Sequence, residues 1–190
     1  MMRAGPDDGG TAVTEHPGRR GDHPDGAVLP ADRVADRLAI EDLATSYAYA
    51  VDDRDWVRWE ALFTVDGLVD YTRAGGIAGT PAEVAAWMPR AMSVFTFCLH
   101  TTSTHEVRFV DPDCAVGRVH VFNRNGVQWD GRAELFDVGA VYDDVYVRTA
   151  EVWRISRRIE HTTYVAGGGF ADMIRSLINA PDSGLPPIAG

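Results

Sequence analysis

Between its two ends the chain changes its pattern of apolar positions twice. From Asp32 to Asp52 they recur at three- and four-residue steps, with Ile40, Leu43, Tyr47 and Val51 on one side, and this spacing predicts an amphipathic helix. Asp55 suits the cap of a second helix carrying Trp56, Trp59, Leu62 and Phe63. Gly67 to Tyr71 reads as a short strand. Thr80-Pro81-Ala82-Glu83 is a strong helix start, with a capping hydroxyl, a proline in the first turn and a glutamate to close the capping box. Val84, Trp87, Met88, Ala91, Met92 and Phe95 extend that helix. After His100 the period falls towards two. Glu106 to Val110 is expected as a strand and Asp111-Pro112-Asp113 as a turn. Ala115 to Arg124 is expected as a strand ending at a hairpin turn, Asn125-Gly126, and Asp130-Gly131 is a second turn signal. Arg132 to Arg148 alternates loosely and breaks at Gly139, and Val152 to Val165 forms a long last strand. Helices first and hairpin-connected strands afterwards predict an α+β fold, with helices packed on one face of a mostly antiparallel sheet.

Composition sets the limits of this domain. The 190 residues suit one domain with a sizeable core, expected over residues 31–179. Residues 1–30, rich in Gly, Pro, Asp and Arg, and the proline-bearing residues 180–190 lack the apolar surface to offset ordering entropy and are expected as flexible tails. The net charge of −10 repels phosphate backbones, so neither nucleic acid nor an anionic membrane is an expected partner. No apolar run approaches the roughly 20 residues that span a bilayer, and no secretory leader is evident, so a cytoplasmic protein is expected. The chain contains no Lys, which removes lysine Schiff-base chemistry.

Few residues carry candidate chemistry. Asp52 closes the first helix in Tyr47-Ala-Tyr-Ala-Val-Asp52-Asp-Arg-Asp-Trp56, where the negative end of the helix dipole and neighbouring aromatic rings disfavour its charge, as suits a general base. Helical spacing puts Tyr49 beside Asp52. Tyr47 falls on a different side and reaches Asp52 only if the helix end unwinds. His100 closes the apolar run Phe95-Thr-Phe-Cys-Leu-His100 and is either a boundary residue or an acid–base group. His105 and Glu106 follow, but their spacing fits no zinc signature, and no metal or other cofactor is expected. His120 and His161 lie on strands whose buried face the pattern leaves open. Trp56, Trp59 and Trp87 are core residues first and lining of an apolar pocket second. Cys98, between Phe97 and Leu99, reads as a buried thiol, and the two cysteines form no Cys-x-x-Cys pair. Gly167-Gly168-Gly169 lacks the remainder of a phosphate-binding motif, and no Gly-x-Ser-x-Gly elbow occurs.

Taken in order, several blocks resemble the SnoaL-like, nuclear transport factor 2-like superfamily, and within it the branch of scytalone dehydratase and bile acid 7α-dehydratase. They are Tyr47 to Trp56, Leu62-Phe63-Thr with Asp66-Gly67, Val69-Asp-Tyr71, Gly79 to Glu83, the His100 block, Asp113 to Gly117, Tyr142-Asp-Asp144, and Val147-Arg-Thr with Trp153-Arg-Ile155. The resemblance implies a cone-shaped α+β barrel around an apolar pocket and a homodimer or homotrimer. It implies acid–base roles for Asp52 and His100 and hydroxyl roles for Tyr71 and Tyr47. The chain departs from scytalone dehydratase at several site positions. A second active-site tyrosine falls on Val51 and a second histidine on Val119, one residue from His120. An assisting serine and asparagine fall on Ala140 and Tyr142. A one-residue slip in a strand reverses the face of a side chain, so His120 enters the pocket only where a bulge restores the register. These departures imply a rebuilt pocket and a substrate other than scytalone, lined in part by Tyr142, Trp56 and Tyr49.

The function expected from this reading is a cofactor-independent dehydratase or cyclase acting on a small apolar polyketide, terpenoid or steroid-like intermediate. The alternatives on the same scaffold are an isomerase, an epoxide hydrolase, or a non-catalytic binding or structural subunit.

Overall fold

The computed structural model describes residues 28–150 and 152–180. The two expected tails lie almost wholly outside them. Among the described residues the chain forms helix α1 (Ala31–Asp52), the short α2 (Trp56–Glu60), strands β1 (Phe63–Asp70) and β2 (Ala78–Gly79), and helix α3 (Pro81–Ala91). Strands β3 (Phe95–Asp111), β4 (Cys114–Trp129), β5 (Arg132–Thr149) and β6 (Val152–Gly167) follow, and helix α4 (Gly169–Ile178) comes last. The strands form one open sheet in the order β2-β1-β6-β5-β4-β3, antiparallel throughout except where β1 runs parallel to β6. Register shifts in β3 near Ser103, between Gly139 and Ala140, and between Val145 and Tyr146 bend this sheet. Its concave face packs on α1 and α3 through Ile40, Tyr47, Val69, Val84, Val119, Tyr142 and Ile155. No described helix is long and apolar enough to cross a membrane.

The helix starts follow the expected chemistry. The Thr80 hydroxyl accepts from the Glu83 N–H, and the Glu83 carboxylate accepts from the Thr80 N–H at 2.8 Å, completing the capping box. Asp55 accepts the Arg58 N–H at 3.0 Å and caps α2. Asp130-Gly131 is the β4–β5 turn, with φ of 48° and 74°, the left-handed pair that a tight hairpin requires.

Three expectations give way to tertiary context. Asn125-Gly126 is no turn. Both residues continue β4, Asn125 lying between Cys98 of β3 and Phe136 of β5. The absence of a side chain at Gly126 makes room for the Phe97 ring, so its glycine serves packing rather than reversal. Leu62 and Phe63 do not belong to α2, because Phe63 pairs with Ile155 as the first residue of β1. Phe95 is likewise a strand residue. A 3₁₀ turn at Met92–Val94 ends α3, and β3 begins earlier than the period predicts, so His100 sits inside it.

Helix α4 was not foreseen. Phe170, Ile174 and Ile178 recur at four-residue steps, and Phe170 and Ile178 are buried against Val127, Phe136 and Val165. The three glycines make the junction: Gly167 has a φ of 142°, and a Cβ on Gly168 would lie 2.7 Å from the Glu134 carboxylate. That carboxylate accepts the Phe170 N–H at 2.9 Å, placing negative charge at the start of α4. Thr80→Ala removes the capping box from α3. It is expected to lower stability by about 1 kcal/mol, measured by urea denaturation.

Candidate active site

Strand β3 ends the sheet, so alternate N–H and C=O groups along its free side need partners from elsewhere. Helix α1 supplies them. Arg33 donates to the Pro112 carbonyl at 3.1 Å beyond the strand's end, and Arg37 donates to the His105 carbonyl at 2.8 Å. At the far end of α1 the Asp52 carboxylate accepts the His100 N–H at 3.0 Å and meets its ring Nδ1 at 2.6 Å. Arg54, at a φ of 57°, turns the chain back and donates to the Phe95 carbonyl at 2.5 Å. Asp52 is thus held by both the backbone and the ring of one histidine. An ionised carboxylate only accepts, so when the imidazole is neutral this contact selects the tautomer with its proton on Nδ1 and the lone pair on Nε2.

The His100 ring lines a cavity of about 340 Å³ beneath the bent sheet. Tyr47 meets it edge-on with ring centroids 6.3 Å apart, and Tyr47 packs in the same manner on Tyr142 at 5.4 Å. The hydroxyls of Tyr47 and Tyr71 share a hydrogen bond of 2.7 Å. One hydroxyl donates to the other, so one proton of the pair is not used between them. Burial raises the pKa of all three tyrosines, which remain protonated donors at neutral pH. Asn123, Asn125, Glu160 and Thr162 complete the polar wall. Trp87, Met92, Phe95, Phe136, Phe170 and Ile174 form the apolar end.

Beneath the tyrosines lies a fully buried ion pair. Arg158 donates from Nε to Asp144 at 2.8 Å and from a terminal nitrogen to its second oxygen at 2.6 Å. Its guanidinium carbon lies 4.2 Å from the centroid of Tyr47 and 4.3 Å from that of Tyr142, so the cation is held between two ring faces. Tyr146 donates to Asp144 at 2.7 Å, and His105 meets the Tyr146 hydroxyl at 3.1 Å. Burial lowers the His105 pKa, so its ring is neutral at physiological pH.

The structure therefore brings Tyr47, Tyr71, Tyr142 and His100 to one cavity, with Asp52 behind His100. Tyr47 reaches the site without any unwinding of α1, because it addresses His100 and Tyr71 rather than Asp52. Three expected pocket residues lie elsewhere. Tyr49 is 57% exposed, on the outward side of α1. Trp56 is half-buried against the main core and does not line the cavity. His120 points outward from β4: Val119 and Val121 take the inward positions, and the nearby bulge lies in β3, so nothing restores the register. Cys98 is half-buried. Burial and the Asp52 charge push its thiol up to about 12, which removes thiolate chemistry near neutral pH. His161 is half-buried on the sheet and pairs with Asp143 at 3.0 Å. Among the described residues no group of three or more His, Cys, Asp or Glu side chains is placed to share a metal ion.

Asn123, Asn125, Asp144, Arg158, Glu160 and Thr162 were missed. The signal was present on β6, where Arg158, Glu160 and Thr162 keep a period of two. A charged stripe of that kind reads as solvent-facing until the bend of the sheet is known.

A bent sheet closed by helices over an apolar pocket, with an Asp–His pair at the helix end, defines a class. The chain belongs to the SnoaL-like domain family, whose model matches residues 32–159. It is 36% identical over 136 residues to an uncharacterized protein of Mycobacterium tuberculosis, covering 72% of this chain and 91% of that one. It is also 30% identical over 149 residues to the γ-hexachlorocyclohexane dehydrochlorinase of Sphingobium indicum, covering 74% and 90%. Among solved structures, a scytalone dehydratase-like protein of Novosphingobium aromaticivorans superposes with a TM-score of 0.63 at 22% identity, over 71% of this chain and 89% of that one. A type 2 hexachlorocyclohexane dehydrochlorinase superposes with a TM-score of 0.65 at 24% identity, over 73% and 92%. These two likenesses are of fold.

Replacing Arg158 by Met leaves Asp144 as an uncompensated buried charge and is expected to cost about 3–5 kcal/mol. Asp143→Asn, on the partly exposed face of the same strand, is expected to cost less than about 1 kcal/mol. Chemical denaturation of the two variants measures the difference.

Proposed function

We propose that this protein is a lyase that catalyses elimination from a small, largely apolar substrate by acid–base chemistry, with His100 as the base. The observation that carries the reading is the 2.6 Å contact between Asp52 and His100 Nδ1 at the wall of an apolar cavity. In the proposed step the Nε2 lone pair of His100 takes a proton from a carbon next to a carbonyl. The C–H electron pair moves into the carbonyl, and the resulting enolate oxygen receives the remaining hydroxyl proton of the Tyr47–Tyr71 pair as a hydrogen bond. Collapse of the enolate forms a carbon–carbon double bond and expels the group on the β carbon. Asp52 steadies the imidazolium that forms.

The relatives support this class. The Sphingobium protein is named for the loss of hydrogen chloride, and the Novosphingobium protein is described as dehydratase-like. Both names describe departure of a proton and a neighbouring group. The apolar end built by Trp87, Phe136, Phe170 and Ile174 supports a cyclic, hydrocarbon-rich substrate of polyketide, terpenoid or steroid type. A cyclisation through the same enolate needs the same groups.

The test is turnover of a panel of β-hydroxy and β-chloro ketones and of γ-hexachlorocyclohexane, followed by product absorbance and chloride release. His100→Ala is expected to lower kcat/KM by about 10²- to 10⁴-fold. Asp52→Asn, which removes the charge behind the ring, is expected to lower kcat by about 10²-fold or more. Wild-type rates in His100→Ala, with an unchanged circular dichroism spectrum, would sink the proposal.

The reading includes a homodimer or homotrimer. Phe97, Leu99, Phe122 and Leu135 are exposed together on the outward face of β3, β4 and β5, as supports a self-association surface. Sedimentation velocity is expected to give an oligomer for the wild type and a monomer for Leu99→Glu. A wild-type monomer refutes this part.

A further inference from the structure

Glu160 is the one carboxyl among the described residues that line the cavity, and the elimination chemistry above leaves it without a role. It sits on β6 directly opposite Tyr142 of β5, and both point inward. The nearest cation by sequence and face is Arg158, two residues earlier, but that guanidinium gives its paired donors to Asp144 and lies between the rings of Tyr47 and Tyr142. The other groups around Glu160 are the Thr162 hydroxyl on β6, His100 on the cavity wall, and Tyr142 on β5, Tyr47 on α1 and Tyr71 after β1, the three tyrosines being neutral hydroxyls at physiological pH. Helices α3 and α4 present apolar side chains to the cavity.

We propose that Glu160 is a general acid that protonates a departing hydroxyl, which makes the substrate of this pocket a β-hydroxy carbonyl compound and the reaction a dehydration. This rests on the elimination reading above and deepens it. The two kinds of leaving group named by the relatives differ in one respect. Chloride departs as a stable anion, whereas hydroxide is a poor leaving group near neutral pH and departs as water once it is given a proton. A proton donor on the cavity wall therefore serves dehydration and has no use in chloride loss. In the balanced step His100 Nε2 takes the α proton, the C–H pair becomes the new double bond through the enolate, and the C–O bond breaks with its pair on oxygen. The Glu160 O–H proton joins that oxygen to give water. Transfer of a proton from the imidazolium to the Glu160 carboxylate, through the released water or solvent, restores both groups.

Burial pushes the Glu160 carboxyl up to about 7, against the pull of the Arg158 charge and of the Thr162 hydroxyl, so a large fraction is protonated at neutral pH. The acid is needed in its protonated form. Dehydration should then fall as pH rises through about 7, and chloride elimination should lack that alkaline limb.

The experiment uses the full chain and two matched probes, a tetralone with a β-hydroxyl and the same tetralone with a β-chloro group. Loss of water from one and of hydrogen chloride from the other gives the same fluorescent naphthol, and spontaneous elimination is subtracted. Glu160→Gln keeps the volume of the side chain and removes its transferable proton. Its dehydration is expected to fall about 10²-fold relative to chloride elimination by the same protein, with loss of the alkaline limb. Glu160→Asp is expected to recover part of the dehydration. Chloride elimination also reports that the variant is folded. An equal loss with both probes would make Glu160 a packing or binding residue and overturn the proposal, as would an unchanged ratio. A wild type that eliminates chloride but not water overturns the assignment of Glu160 and leaves the role of His100 intact. A wild type inert towards both probes, or His100→Ala as active as wild type, overturns the elimination reading itself.

Discussion

The Arg158–Asp144 pair is the constraint around which this domain is organised. A buried charge pair is tolerated only where close geometry and hydrogen bonds offset the loss of water. Two donors of the guanidinium engage both oxygens of Asp144, and Tyr146 adds a third bond to the same carboxylate. The faces of the guanidinium are covered by Tyr47 from the long helix and Tyr142 from the sheet. Those contacts fix two of the three cavity tyrosines, and Tyr47 in turn fixes the third through the hydroxyl bond to Tyr71. A strongly polar element inside the core thus sets the positions of neutral hydroxyls one layer above it.

The Asp52–His100 contact follows from a separate demand. The last strand of an open sheet exposes unpaired backbone groups, and here the first helix covers that edge along much of its length. Asp52 meets the demand for an acceptor at the His100 N–H and, with the same carboxylate, orients the ring. Edge protection and ring orientation are one interaction, so the helix cannot shift along the strand without disturbing the imidazole.

Much of the architecture was legible in the chain. The long first helix, the capping box at Thr80 and the last strand follow from local periodicity and end chemistry, which act over a few residues and need no knowledge of the fold. The Asp–His–Tyr constellation was legible only through the order of several weak blocks, because nothing local to Asp52 reports that His100 will lie beside it. Asn125-Gly126 shows the limit in the other direction. The dipeptide favours a tight turn by itself, but pairing on both sides and the Phe97 ring over Gly126 hold it straight within β4. The inward side of a strand is the least legible feature. His120 looked available and faces out, whereas Arg158 and Glu160 looked solvent-bound and face in, between bulges of β6 itself at Ser156 and Thr163 that leave little trace in composition. Helix α4 went unread for a plainer reason: a glycine triplet hid the start of a short but regular four-residue pattern.

That last helix separates two duties. His100 and Glu160 stand on strands tied along most of their length to neighbours, where a displaced backbone disturbs the whole sheet. The apolar end of the cavity is closed by a ten-residue helix near the end of the chain, joined to the sheet by the Glu134 contact at its start, the Arg175 bond to the Val165 carbonyl and the packing of Phe170 and Ile178. Changes in α4 can alter the size and shape of the cavity while the side chains on the sheet keep their places.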